Sequence, residues 1–174
     1  MATALVVIDV QNDYFPGGKF PLWQPEAAEA NCLRLIDWAK AAGRAVIHVR
    51  HIVEGEPAPF FAAGSPGADI RSPIRNAAPD SPVIVKAFAD SFEKTKLQET
   101  LKSLGIDRLI LCGMMTHNCV THTAISKAAE AYDVTVVGDA CTTVSEILHL
   151  LALHALSTRV KLTDTASLIS KEPH

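Results

Sequence analysis

No two of the four cysteines (Cys32, Cys112, Cys119 and Cys141) form a C-x-x-C pair, and they are scattered along a 174-residue chain. That excludes a disulfide scaffold and a paired-cysteine zinc site, and it points to reduced thiols in a cytoplasmic compartment. The formal net charge is −3 and there is no basic cluster, so neither nucleic acid nor an anionic membrane surface is an expected partner. No apolar run is long enough to span a bilayer. The opening MATALVVIDV has no basic segment ahead of its apolar run and passes directly into Asp9, so it reads as a strand and not as a signal peptide. Internal repeats and low-complexity segments are lacking too. What is present, 48% hydrophobic and 20% charged residues, is the composition of a folded globular chain rather than a disordered one. Residues 1–174 are long enough for one sizeable core and read as a single domain.

Six apolar runs read as strands: Ala4–Val10, Ala45–Val49, Val83–Val85, Leu109–Cys112, Val134–Val137 and Val160–Leu162. They are continuous and not alternating, as strands buried on both faces are. A helix is predicted from Pro25 to Gly43, with proline at its first position and Glu26 and Glu29 facing its positive end. Cys32, Leu35, Ile36 and Ala39 fall on one face of it. Further helices are predicted over Thr95–Leu104, Cys119–Ala131 and Val144–Leu156. Tyr14–Gln24 and the longer Glu54–Pro82 are rich in proline and glycine and read as loops, the second with some short helix. Strands alternating with helices in this way predict right-handed βαβ units, hence an α/β three-layer sandwich around a mostly parallel, Rossmann-like sheet. The Val144–Leu156 helix is apolar around most of its circumference (Ile147, Leu148, Leu150, Leu151, Leu153, Leu156), more than one sheet face requires. That surplus predicts a homo-oligomer, a dimer or larger.

In such a sheet, ligands bind at the carboxyl ends of the strands. Asp9 stands there after the first strand and Lys86 after the third, while the fourth leads through LILCGMMTHNCV to Cys119. Most free cysteines are small buried apolar residues. A thiol in the first turn of a helix is different, because the macrodipole and unpaired N–H groups favour a thiolate and a developing oxyanion. Thr116 or Asn118 is the expected N-cap of that helix. An acid, a cation and a thiol on one edge suit nucleophilic catalysis, although each alone is more often a cap, a solvated charge or a packing group.

The ordered set VVIDVQNDY, VIVKAFADSF with Thr95 and Leu97 beyond it, GMMTHNCV and VVGDACTT resembles the isochorismatase-like cysteine hydrolases, which include nicotinamidases and carbamoylsarcosine amidases. The likeness runs from Ala4 to about Leu168. It implies a six-stranded parallel sheet and a triad of Cys119 as nucleophile, Asp9 as general acid/base and Lys86 as third member. It also implies a cis peptide between Met114 and Met115, with the N–H groups of Met115 and Cys119 aimed at one oxyanion. The activity implied is hydrolysis of a small-molecule amide or related C–N bond through a thioester.

Nicotinamidases carry a metal site with an Asp-x-His pair after the second strand. Here the place reads His48-Val49-Arg50-His51, and no histidine lies between His51 and His117. No metal and no cofactor are therefore expected, and nicotinamide is not the expected main substrate. True isochorismatases, which cleave a vinyl ether, lack the nucleophilic cysteine; an ether hydrolase with Cys119 as bystander, and a non-catalytic binding or redox-thiol protein, are the alternatives. Phe15, Phe20, Phe60, Phe61 and Phe92 are candidate pocket walls, with Gln11 and His117 as candidate substrate contacts. Core packing and turn formation are the competing explanations for each.

Overall fold

The computed structural model describes residues 1–172. Its strands are β1 (Thr3–Ile8), β2 (Ala45–His51), β3 (Val83–Lys86), β4 (Arg108–Met114), β5 (Asp133–Thr142) and β6 (Lys161–Thr163). Its α-helices are α1 (Pro25–Ala41), α2 (Ser72–Ala77), α3 (Leu97–Ser103), α4 (Thr121–Ala124), α5 (Glu146–Leu156) and α6 (Thr165–Lys171). All six strands pair in parallel, in the order β3-β2-β1-β4-β5-β6. The chain lays β2 and β3 outward on one side of β1 and then returns to place β4 on the other. The direction of winding therefore reverses between β1 and β4, and a crevice opens at the carboxyl ends of those two strands.

The two-residue period of β1 divides the core. Leu5 and Val7 pack with Cys32, Leu35, Ile36 and Ala39 of α1 and Leu168 of α6. Ala4, Val6 and Ile8 pack on the opposite face with Leu97 and Leu101 of α3, Val120 and Leu156. Both faces are covered over the inner strands β1, β2, β4 and β5, which is why these read as unbroken apolar runs, whereas the edge strands β3 and β6 are partly exposed. Gly113 lets β4 close on β1: it pairs with Ile8, has φ +118°, and a Cβ there would lie 2.0 Å from the Ile8 carbonyl oxygen.

The helix expected over Cys119–Ala131 is instead three pieces. A single π-helical turn covers Thr116–Val120, α4 follows for one turn, and a 3-10 turn covers Lys127–Ala131. Ser126 makes the break, because its hydroxyl accepts from Ala128 N and donates to Asp90 Oδ2 at 2.6 Å. Neither Thr116 nor Asn118 is the N-cap: the cap position is Met115, without a side-chain bond, and the Thr116 hydroxyl meets His149 Nδ1 at 2.8 Å. The helix read from Val144 begins at Glu146, with Ser145 accepting from Leu148 N. The helix α6, which periodicity did not announce, starts where Asp164 accepts from Ser167 N at 2.8 Å.

Candidate active site

Asp9 is the first residue beyond β1, turned into the left-handed region (φ 51°) with its N–H on the Val49 carbonyl at 3.0 Å. Aspartate tolerates this conformation better than most residues, and here it turns the carboxylate into the crevice. Lys86 is the last residue of β3 and pairs in register with His51, the last of β2. Since β2 lies between β3 and β1, Lys86 has to reach across about 10 Å, two inter-strand spacings, to meet Asp9. Its four-carbon arm does so. Lys86 Nζ lies 2.8 Å from Asp9 Oδ2, 3.1 Å from Cys119 Sγ, 2.7 Å from His51 Nδ1 and 3.1 Å from the Phe88 carbonyl. Four acceptors surround three N–H donors. Asp9, Lys86 and Cys119 are each at most 2% exposed.

The charges of this cluster hold one another. Burial works against the Lys86 ammonium, but the Asp9 charge, with hydrogen bonds to Asp9 and to the Cys119 sulfur, wins and raises its pKa. Burial pushes the Cys119 thiol upward and the Asp9 charge pushes the same way, while Lys86 pulls it back. The resting arrangement is thus a thiol beside an ion pair. Asp9 Oδ1 has no hydrogen-bond partner among the described residues, and the Asp9, His51 and Cys119 donor atoms lie within 4.8 Å of one another. That trio rings a space of ionic size, and the space is filled by the protein's own ammonium.

The other predicted residues divide. Phe60 and Phe61 join Tyr14 and Phe20 in an aromatic group, with ring centroids 4.6 Å apart for Tyr14–Phe61 and 5.0 Å for Phe60–Phe61. Phe61 also reaches His51, at 6.1 Å, so the group adjoins the triad. Asp13 anchors it by accepting from Phe61 N at 2.7 Å. Phe15 is buried beneath the Arg71 guanidinium, 4.1 Å from its ring. His117 bonds the Thr143 hydroxyl at 2.7 Å and is half-buried. The Met114–Met115 peptide is cis. Two residues are placed otherwise than expected. Gln11 has no free polar atom for a substrate: its amide donates to the His51 and Ala68 carbonyls and accepts from His51 N, each at 2.8 Å. Phe92 stacks on Tyr132 and packs with the core layer of α3, apart from the aromatic group.

The sequence leaves His51 open as a substrate contact or a member of a hydrogen-bond network, and the structure makes it a partner of Lys86. Tyr14 was passed over altogether. It is buried, and burial first, then the Asp9 charge, raises its pKa. The available signal was its place five residues after Asp9 in VVIDVQNDY.

Residues 3–167 match the family model described as an isochorismatase domain. An uncharacterised isochorismatase-family protein of Bacillus subtilis, YddQ, is 43% identical over 143 residues, spanning 82% of this chain and 79% of its own. A nicotinamidase of Escherichia coli is 28% identical over 174 aligned residues, spanning 79% of this chain and 82% of its own. The solved structure of an isochorismatase-family protein from Oleispira antarctica superposes with a TM-score of 0.88 at 35% identity, covering 97% of this chain and 96% of that one. With this sheet, this crevice and these relatives, the chain belongs to the isochorismatase family of hydrolases.

Proposed function

We propose that this protein hydrolyses the C–N bond of a small, uncharged amide or amide-like molecule by way of a Cys119 thioester. The observation that carries the reading is a single ammonium, Lys86 Nζ, within 3.1 Å of both a carboxylate and a thiol, with all three side chains buried. Asp9 takes the thiol proton, and Lys86 offsets the negative charge left on sulfur. The thiolate attacks the amide carbon, and the oxyanion is received by the N–H groups of Met115 and Cys119. Collapse breaks the C–N bond as Asp9 returns its proton to the departing nitrogen, so ammonia or an amine leaves. Water, deprotonated by Asp9, then attacks the thioester. The acid departs, and the proton on Asp9 restores the thiol.

An uncharged substrate is favoured because the Lys86 ammonium is already committed to Asp9, and because Tyr14, Phe20, Phe60 and Phe61 offer aromatic faces. A relative is by its name a nicotinamidase, which supports amide chemistry without naming the substrate here. The four cysteines are free thiols, in keeping with a reducing, cytoplasmic setting. A second copy of the chain is the proposed occupant of the exposed α5 face, where Ile147, Leu150 and Leu151 stand outward on a helix whose one acidic or basic residue at neutral pH is Glu146. A face without opposed charges matches itself across a two-fold axis.

The test is an ammonia-release screen over small primary amides, ureides and lactams, with intact-mass detection of an acyl adduct on Cys119. Turnover lost in Cys119→Ser is the expected result. Full turnover of a hit by Cys119→Ala, with loss in Asp9→Ala, would overturn Cys119 as the nucleophile.

A further inference from the structure

We propose that His51 is a positioning residue for the triad: its Nδ1 accepts a hydrogen bond from the Lys86 ammonium and fixes that ammonium where it serves Asp9 and Cys119 together. The proposal rests on the catalytic assignment of Cys119, Asp9 and Lys86, but not on any particular substrate.

The geometry begins with the sheet order. A lysine on β3 has to cross the end of β2 to reach β1, and an unbranched four-carbon side chain has many rotamers in which to miss. His51 stands at the crossing point. It is the register partner of Lys86, so the two side chains rise from the same face of adjacent strands, and their nitrogens lie 2.7 Å apart. An ammonium has no acceptor, so at this distance Nδ1 has to present its lone pair and the ring proton has to sit on Nε2. Burial and the Lys86 charge hold the imidazole below its usual pKa, against a smaller opposite pull from Asp9, which keeps the ring neutral. Gln11 holds the backbone on both sides, accepting from His51 N and donating to His51 O at 2.8 Å, and the Phe61 ring lies 6.1 Å away. The ring is thereby fixed in place, with its acceptor turned toward Lys86.

Without that acceptor the ammonium would settle among Asp9 and the Phe88 carbonyl, and its bond to sulfur would be the one to weaken, since a thiol is the poorest acceptor of the set. The effect to expect is a less reactive Cys119 in an otherwise intact fold.

Two measurements test this without recourse to amide turnover, so the proposal and the amidase reading can fail separately. The first is the second-order rate of Cys119 alkylation by iodoacetamide at pH 7.5, followed by intact mass, in His51→Asn, His51→Gln, His51→Phe and His51→Leu. Asparagine places an acceptor oxygen close to the position of Nδ1, whereas glutamine reaches toward Nε2 and phenylalanine keeps the ring with no acceptor. The expected order has Asn near wild type and Gln, Phe and Leu slower by about tenfold, the change in thiolate fraction that one pKa unit produces. A wild-type rate in Phe would reduce His51 to packing, and a faster Gln than Asn would move its role to Nε2; either overturns the proposal. The second uses the wild-type protein, so it survives a variant that fails to fold. The 15N shifts of the His51 ring are expected to report an unprotonated Nδ1 and a protonated Nε2 at pH 7.5. A proton on Nδ1 would overturn the proposal.

Discussion

Lys86 Nζ lies 2.8 Å from Asp9 Oδ2 although an entire strand separates the two residues in the sheet. Both side chains are wholly buried, so neither charge has water to fall back on.

That relationship has a thermodynamic consequence. Lys86→Met strands the Asp9 carboxylate in the interior, and removing one member of a buried pair costs about 3–5 kcal/mol. Adding Asp9→Asn to the same chain removes the stranded charge and is expected to return part of the loss. Denaturant unfolding of the two single variants and the double variant measures the coupling. Strictly additive losses would mean that the pair is not coupled in solution.

Gly113 and Gly138 are expected to behave oppositely. A Cβ at Gly113 would lie 2.0 Å from the Ile8 carbonyl oxygen, a backbone atom held in the β1–β4 pairing, at φ +118°. Gly113→Ala should cost about 3 kcal/mol or more and displace the turn leading to Cys119. At Gly138 the nearest atom is Leu153 Cδ1, 3.0 Å away at the end of a flexible side chain, so Gly138→Ala should fall within about 1 kcal/mol of wild type. Melting temperatures compare the two, and equal losses would contradict the difference in their surroundings.

Acid should destabilise the fold through its buried imidazoles. His48 is 1% exposed, its Nε2 is 3.1 Å from the Ala78 carbonyl and its Nδ1 has no partner among the described residues. Burial holds its pKa below the usual value. Above pH 6.5 both folded and unfolded states keep it neutral, so it adds no pH dependence. Below that, the unfolded chain takes up a proton that the folded one refuses, and stability falls as pH falls, by up to about 1.4 kcal/mol per pH unit. Burial also lowers the pKa of His51, His117 and His149, which adds slope of the same sign. Melting temperatures between pH 7.5 and 5 should therefore decline, with a shallower decline in His48→Asn. An unchanged slope in that variant would exclude His48 as a source.

The α5 face should control assembly. Ile147 and Leu151 are 74% and 60% exposed, while His149 and Ala152 on the same helix face inward. Light scattering is expected to report a dimer or larger assembly for the wild type and a monomer for Ile147→Asp combined with Leu151→Asp. A monomeric wild type would leave this face without its proposed occupant.

Much of this molecule is legible in its sequence. Continuous apolar runs marked all six strands: burial on both faces leaves no polar alternation in β1, β2, β4 and β5, while the edge strands β3 and β6 carry apolar residues that stay partly exposed (Val83, Val85, Leu162). The three residues now in contact were recognisable as strand-end or turn residues of the right chemistry. Periodicity failed between Cys119 and Ala131, where hydroxyls of Thr121 and Ser126 divert backbone groups that a regular helix would pair internally. It also gave no warning that Gln11 would spend its amide on His51 and Ala68.

Local chemistry in the sequence thus determined the strands, their terminal residues and the set Asp9, Lys86 and Cys119. Only the tertiary structure decided the order of the strands, and with it that β2 falls between Lys86 and Asp9 and brings His51 to the ammonium. The reason is physical: apolar runs, caps and turns are set by neighbours within a few residues. Strand order and side-chain reach are settled by which faces pack together, and no short stretch of chain carries that information.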